Sequence, residues 1–406
     1  MKKRFLSDEQ LQELAAIHGT PLYIYSWPIV RGQLESLTSF DVVRYAQKAN
    51  AKLALLELLH GEGALVDAVS LGELRRALAA GWLEEEIVFT ADIFTREVLE
   101  FIGGTQMRVN AGSPDMIAQL AEVRPGSRLT LRVNPGFGAG HAVKVNTGGI
   151  WSKHGIWHEE LPAVAAEARK LGLEVDGLHI HIGSGADMES HERAANKMLE
   201  LSRMIGPGLA KISAGGGLPV AYRETDPEFD LQRYCSTWSR VKEELSTDHG
   251  HEVTLETEPG RYLVAEAGLL LTEVRATKRM GDVRYLLVDA GFHTLARPAM
   301  YGAYHHLSVV GMDDEPRAPR VVAGPLCESA DVFTQDMAHR PTPQELPAAG
   351  PGDLLCIHDT GAYGASMASN YNSQLLPAEV LVTDDGTPRL IRRRQTLDEL
   401  LQFENS

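Results

Sequence analysis

The sequence predicts a (β/α)8 barrel of the TIM type followed by an antiparallel β domain of barrel or sandwich form. Between residues 40 and 261, β-rich runs at 42–46, 65–69, 87–89, 107–109, 129–133, 175–182, 209–212 and 253–256 alternate with stretches of helical spacing. Among those stretches are 71–80, 113–123, 161–171 and 231–245. Alternation of this kind gives parallel strands joined by right-handed crossovers. Eight such units in about 220 residues fit a closed barrel better than an open sheet. After Arg261 the helical spacing drops out, and 269–276, 285–289, 320–323, 354–357 and 379–383 read as strands. The expected division is 27–262 for the barrel, and 1–26 with 263–406 for the β domain.

The elements follow in order. Residues 21–25 are strand-like and suit the β domain. Ser113-Pro114 opens a helix with an N-cap hydroxyl and a proline at the first helical position. Residues 136–155 are glycine-rich, contain His141, Lys144 and Lys153, and interrupt the rhythm between the fifth and sixth strands. They read equally as a mobile insertion or as a lid over the barrel mouth. Residues 340–352, rich in proline and alanine, read as a surface loop. Asp385-Gly386 marks a hairpin between 379–383 and 389–393. The run Arg392-Arg393-Arg394 reads as a solvated edge, and Thr396 with Glu399 as a capping box.

Composition limits the function classes. The 406 residues carry 55 acidic against 39 basic side chains, a net charge of −16. That balance argues against a nucleic-acid or anionic-membrane partner, since both need clustered Lys and Arg. With 44% apolar residues the chain can build an ample core. The three cysteines, Cys235, Cys327 and Cys356, are widely spaced and form no Cys-x-x-Cys, so neither a disulfide framework nor a zinc cluster fits. The start, MKKRFLSDEQ, lacks the apolar run of a signal peptide, and no stretch approaches a membrane span. A soluble cytoplasmic protein is expected.

In a barrel, chemistry collects at the carboxyl ends of the strands. The first strand leads to Lys48, which reads either as an amine nucleophile in a desolvated mouth or as a lysine reaching for solvent. The sixth ends in His179-Ile-His181-Ile-Gly-Ser184-Gly185. Two histidines on one strand face could hold a metal, but the other strand ends offer no further histidine, and no metal is expected. The seventh ends in Gly215-Gly216-Gly217, which suits backbone N–H groups closing on a phosphate before a helix. Pro219 just beyond has no N–H to add. The eighth ends in Glu258-Pro-Gly260-Arg261, a carboxylate that reads as a catalytic group or as a partner of Arg261. An amine, a flat imidazole, a phosphate-sized nest, a carboxylate and an arginine together suit pyridoxal phosphate. Its aldehyde, phosphate and ring nitrogen need the amine, the N–H donors and the carboxylate, and the imidazole can cover its ring face.

The motifs carrying these groups are YAQKAN, DAVSLGE, HIHIGSG, SAGGGL and EPGR in the barrel. RPAMYGAYHH, GPLCESAD and HDTGAYGASMASNYN follow in the β domain. In this order they resemble the fold-type III pyridoxal-phosphate-dependent decarboxylases, most closely the diaminopimelate decarboxylases, from about residue 20 to 400. The resemblance implies an alanine-racemase-like two-domain fold, pyridoxal 5'-phosphate as cofactor, and decarboxylation of meso-diaminopimelate to lysine. It implies that Lys48 links to the cofactor and His181 covers its ring. Ser184, Gly215, Gly216, Gly217, Gly260 and Arg261 border the phosphate, and Glu258 pairs with the pyridine nitrogen. Arg261, Arg297 and Tyr301 would bind substrate, with Arg297 and Tyr301 on its distal carboxylate and Glu328 on its distal ammonium. Cys327 would supply a proton, and Tyr363 would reach cofactor and substrate. A homodimer with sites shared between subunits is also implied. Decarboxylation of another basic amino acid, or a silent regulatory relative, are the alternatives. Glu328 argues against ornithine-type specificity, where an aspartate is usual, and the presence of Lys48 and Cys327 argues against a silent protein.

Overall fold

The computed structural model describes residues 4–139 and 147–404. His141 and Lys144 lie outside the described residues. The chain divides into two compact units, one of Met1–Val30, Ala221–Pro227 and Leu263–Ser406, the other of Arg31–Val220 and Glu228–Tyr262. No helix among the described residues is long and apolar enough to cross a membrane.

Strand β1 (Leu22–Ser26) belongs to the first unit. The second unit is the barrel. Its strands are β2 (Val42–Ala46), β3 (Leu65–Ala68), β4 (Ile87–Ala91), β5 (Arg108–Ala111) and β6 (Arg128–Asn134), then β8 (Glu174–Ile180), β9 (Lys211–Ser213) and β10 (Thr254–Thr257), all parallel. β10 closes the ring onto β2, with Glu256 opposite Val42 and Thr257 opposite Val43. The two-residue β7 (Ile156–Trp157), directly after the 136–155 insertion, adds to β6. Ser113 Oγ accepts from the Met116 N–H at 3.3 Å, so this helix starts where its cap and proline placed it.

Barrel strands are buried on both faces, which favours continuous apolar runs. Here the inward positions carry ions instead. Arg44 Nε lies 2.9 Å from Glu256 Oε2, Arg108 Nη1 lies 2.6 Å from Asp176 Oδ2, and Lys211 is buried beside them. Burial alone would raise the Glu256 carboxyl, but Arg44 overcomes it and holds the group at about 2.

The helix Met188–Ile205 buries His191 against the rings of Phe229 and Tyr234, at centroid distances of 5.6 and 4.9 Å. Burial pushes the imidazole down to about 4, against which the Asp187 charge is a minor opposing pull. An unfolded histidine titrates near 6.5, so between about pH 6.5 and 4 the unfolded chain takes up a proton that the folded chain refuses. The stability this group contributes is therefore whole above pH 6.5 and lost as pH falls through 4. The change is on the order of 3 kcal/mol. Thermal melts from pH 7 to pH 4 should show a shallower decline for His191→Phe than for the wild type. Parallel curves would remove His191 from the acid response.

The first unit is a mainly antiparallel sheet. Its strands are β1, β11 (Gly268–Met280), β12 (Val283–Val288), β13 (Leu307–Val309), β14 (Arg317–Ala323), β15 (Gln344–Pro347), β16 (Leu354–Ile357), β17 (Ala378–Val382) and β18 (Pro388–Arg392). They run in the order β15-β14-β12-β11-β1-β17-β18, with β16 pairing β11 and β13. The β1–β17 and β12–β14 pairs are parallel. Leu11, Leu14, Leu22, Ile24, Leu271, Cys356 and Val380 share its core.

Two sequence expectations need correction in this unit. Residues 340–352 are not all loop, because β15 pairs with β14, and Pro347 is tolerated on a sheet edge where a missing N–H costs little. The arginine run is not simply a solvated edge. Arg392 lies 3.1 Å from the buried Glu379, whose other oxygen accepts from Tyr25 Oη at 2.7 Å. Arg393 pairs with Glu399, and Arg394 donates to the Pro21 carbonyl at 2.7 Å. The capping box at Thr396 forms as expected, with both of its hydrogen bonds in place.

Candidate active site

Backbone hydrogen bonds assemble the barrel mouth. The Ala46 N–H donates to the Pro259 carbonyl at 3.1 Å, Glu258 N–H to Gly215 at 2.8 Å, and Gly185 N–H to Gly217 at 2.8 Å. These three bonds bring the Lys48 turn, the EPGR segment, the glycine triplet and the Ser184 turn to one strand end. The triplet is required by this approach. A Cβ on Gly215, Gly216 or Gly217 would sit 2.4, 2.3 or 2.2 Å from a backbone oxygen of Ile180, Glu258 or Gly183. Gly260 packs less tightly beside the Lys48 turn, where a Cβ would meet the Ala46 carbonyl at 3.1 Å.

Lys48 sits on the 3-10 turn Gln47–Ala49. The turn is pinned by buried Gln47, whose Nε2 donates to the Glu73 carbonyl at 3.1 Å, and Glu73 Oε2 accepts the Val69 N–H at 2.8 Å. Lys48 itself is exposed, so the desolvation suggested by its place at a strand end is absent. Another expectation is also corrected: no helix follows the glycine triplet. Residues 218–230 are irregular, and the next helix begins at Leu231. Pro219 and Pro227 fall in that stretch, so the triplet itself leads into turn backbone and not into a helix.

Two buried carboxyls are driven apart. Burial and the neighbouring Glu258 charge push the Asp67 carboxyl well up, against an opposing pull from Lys48. Glu258 is buried too, but His179 overcomes that penalty and holds it below the usual carboxylate range. His179 Nε2 lies 2.7 Å from Glu258 Oε2, and Ser213 Oγ and Asn110 Nδ2 donate to Oε1 at 3.1 and 3.4 Å. His179 is thus committed to a carboxylate. His181 stands apart from this pair. Burial, then the Lys48 and Arg132 charges, push its ring well down and keep it a neutral plate. Arg261 is buried at the start of the Arg261–Val264 turn.

The remaining residues lie in the first unit. Arg297 and Tyr301 share one face of the short helix Arg297–Tyr301, with Arg297 buried and Tyr301 half-buried. Cys327 and Glu328 are exposed on one loop. Asn372 Oδ1 accepts the Cys327 N–H at 3.0 Å, and Asp331 accepts the Leu326 and Phe292 N–H groups at 2.8 and 2.7 Å. Tyr363 has φ of 56°, a left-handed backbone that an aromatic residue rarely adopts and that marks a constrained position. Cys235 and Cys356 are buried, and burial pushes the Cys356 thiol up to about 12. These two are core residues.

Sequence reading did not assign the residues that hold the named ones. His179, Ser213 and Asn110 on Glu258, and Asn372 on Cys327, are placed by tertiary contact. His154 is a further case, since Nδ1 lies 2.5 Å from Asp92 Oδ2 and ties the end of the insertion to the residue that follows β4. For His179 the signal was present, because its i, i+2 spacing from His181 puts both on one strand face.

The donor set fits pyridoxal phosphate. An ionised buried carboxylate, a neutral ring, an amine and a turn built on three glycines meet at one mouth. Glu258→Gln keeps the hydrogen-bonding shape but removes the charge. Losing a charge-assisted bond of about 1.5–3 kcal/mol should lower kcat about ten- to hundredfold, with cofactor still bound. Unchanged kcat would remove Glu258 from the electronic role.

The profile of the pyridoxal-dependent decarboxylases, pyridoxal binding domain, matches residues 29–265. The diaminopimelate decarboxylase of Escherichia coli strain K12 is 49% identical over 98% of this chain and 97% of its own length. That of Streptomyces coelicolor is 51% identical over 98% and 92%. A crystal structure of diaminopimelate decarboxylase superposes with a TM-score of 0.95 at 48% identity, covering 98% of both chains. The Helicobacter pylori enzyme complexed with L-lysine gives 0.88 at 31% identity, over 97% and 98%. With the carboxylate, imidazole and glycine turn of the barrel mouth in place, the chain belongs to the pyridoxal-dependent decarboxylases and, within them, to the diaminopimelate decarboxylase family.

Proposed function

We propose that this enzyme removes one carboxyl group from meso-2,6-diaminopimelate, giving L-lysine and CO2. The observation that carries the reading is the buried Glu258 carboxylate, held charged by His179 at the mouth of the glycine turn. When bound, pyridoxal phosphate supplies an electron sink for the pair left on carbon as CO2 departs. Lys48 would hold the cofactor aldehyde through its Nζ amine. Glu258 would pair with the pyridine nitrogen, its negative charge favouring a proton there. His181 would cover the ring, while Ser184, Gly215, Gly216, Gly217, Gly260 and Arg261 would enclose the phosphate, with Arg261 also meeting substrate. Arg297 and Tyr301 hold the distal carboxylate and Glu328 the distal ammonium. Tyr363 reaches substrate and cofactor, and Cys327 delivers a proton from Sγ to the carbon that lost CO2. The barrel 27–262 is thus the cofactor domain, and residues 1–26 with 263–406 the substrate domain. The test is CO2 release from a panel of amino acids with added pyridoxal phosphate. One CO2 per lysine formed from meso-diaminopimelate is expected, with ornithine and arginine inert. Turnover of ornithine or arginine in its place would reject the substrate.

The same reading makes the enzyme a cytoplasmic homodimer with composite sites, supported by the family resemblance and by the exposure of Cys327 and Glu328. Mixing inactive Lys48→Ala and Cys327→Ala proteins under subunit exchange makes half the dimers mixed, each with one intact site. Activity should recover to about a quarter of wild type. No recovery, with exchange verified, would place each site within one chain.

A further inference from the structure

His305 stands against the guanidinium of Arg297. Arg297 Nη1 and His305 Nε2 are 2.9 Å apart, and both residues are buried. Arginine has donors only, so Nε2 is the acceptor and the ring proton sits on Nδ1. That N–H donates to the His358 carbonyl at 2.7 Å. Gln344 Nε2 in turn donates to the His305 carbonyl at 2.8 Å. Tyr222 closes the arrangement, edge-on to the His305 ring at 5.5 Å and with its own ring 4.8 Å from the guanidinium carbon.

The imidazole is therefore bonded at both nitrogens and braced by an aromatic ring. A carboxylate in its place would fix the guanidinium but cancel its charge. A neutral imidazole orients it without itself cancelling that charge. We infer that His305 is a positioning residue for the distal-carboxylate clamp, setting the plane of Arg297 and with it the preference for substrates that carry that carboxylate. This rests on the assignment of Arg297 made above.

The test uses the holoenzyme and two inhibitors. L-lysine keeps the carboxylate that Arg297 is assigned to hold, and 1,5-diaminopentane is the same chain without it. His305→Asn keeps an N–H for the His358 carbonyl but withdraws the acceptor from Arg297, whereas His305→Gln retains an acceptor at the ε position. In His305→Asn the L-lysine inhibition constant and the KM for meso-diaminopimelate should rise about tenfold. The 1,5-diaminopentane constant and kcat should move less than about threefold, with the visible spectrum of the bound cofactor unchanged. His305→Gln should recover most of the loss. Equal weakening of both inhibitors, no weakening of L-lysine, or no recovery in His305→Gln would overturn the role of His305. Wild-type enzyme that binds L-lysine no better than 1,5-diaminopentane would overturn the Arg297 assignment itself, and this inference with it.

Discussion

Replacing Lys48 by alanine is expected to abolish the visible absorption of the covalently held cofactor and to lower kcat by about three to five orders of magnitude. Loss of a covalent catalyst has effects of that size. The fold should survive, because Lys48 is exposed and the turn that carries it is held by Gln47 and Tyr45, whose Oη donates to the Asn50 carbonyl at 2.9 Å. Circular dichroism separates the two effects. A Lys48→Ala protein with native ellipticity, the visible band and full turnover would exclude this lysine as the link.

Arg297→Ala is expected to cost two to four orders of magnitude in kcat/KM with meso-diaminopimelate. Removing one partner of a desolvated ion pair costs about 3–5 kcal/mol, and the transition-state relation converts that to the stated loss. Arg297 is buried and braced by Tyr222 and His305, so its side chain cannot be replaced by a mobile neighbour. The loss should fall mainly on KM, since the far end of the substrate binds before and during reaction alike. Near-normal kcat/KM in this variant would place the carboxylate clamp elsewhere.

The fold class was legible because β-rich runs alternate with stretches of helical spacing until Arg261, after which the helical spacing drops out. Edge and short elements were not. β15 hides in a proline-rich stretch, and β13 has only three residues, Leu307–Val309, too few to set a pattern. At the site, Lys48, the glycine triplet and Glu258 could be read because strand ends are where barrel chemistry collects. Their supports could not, since Asn110 reaches Glu258 across 148 residues and Ser213 across 45. The glycines were read as a phosphate nest opening a helix, yet each is also forced by a backbone oxygen closer than 2.5 Å to where its Cβ would be. His305 carries no sign of its role in the local sequence. Its place between Arg297 and the His358 carbonyl depends on a contact 53 residues away that no local pattern encodes.

The central claim is that the barrel mouth holds pyridoxal phosphate through Lys48. Borohydride reduction of the enzyme in the presence of pyridoxal phosphate, followed by peptide mass mapping, tests it directly. A single phosphopyridoxyl group on the peptide containing Tyr45-Ala46-Gln47-Lys48 is the result expected. A label on any other lysine, or none above a background of scattered surface modification, would contradict the account.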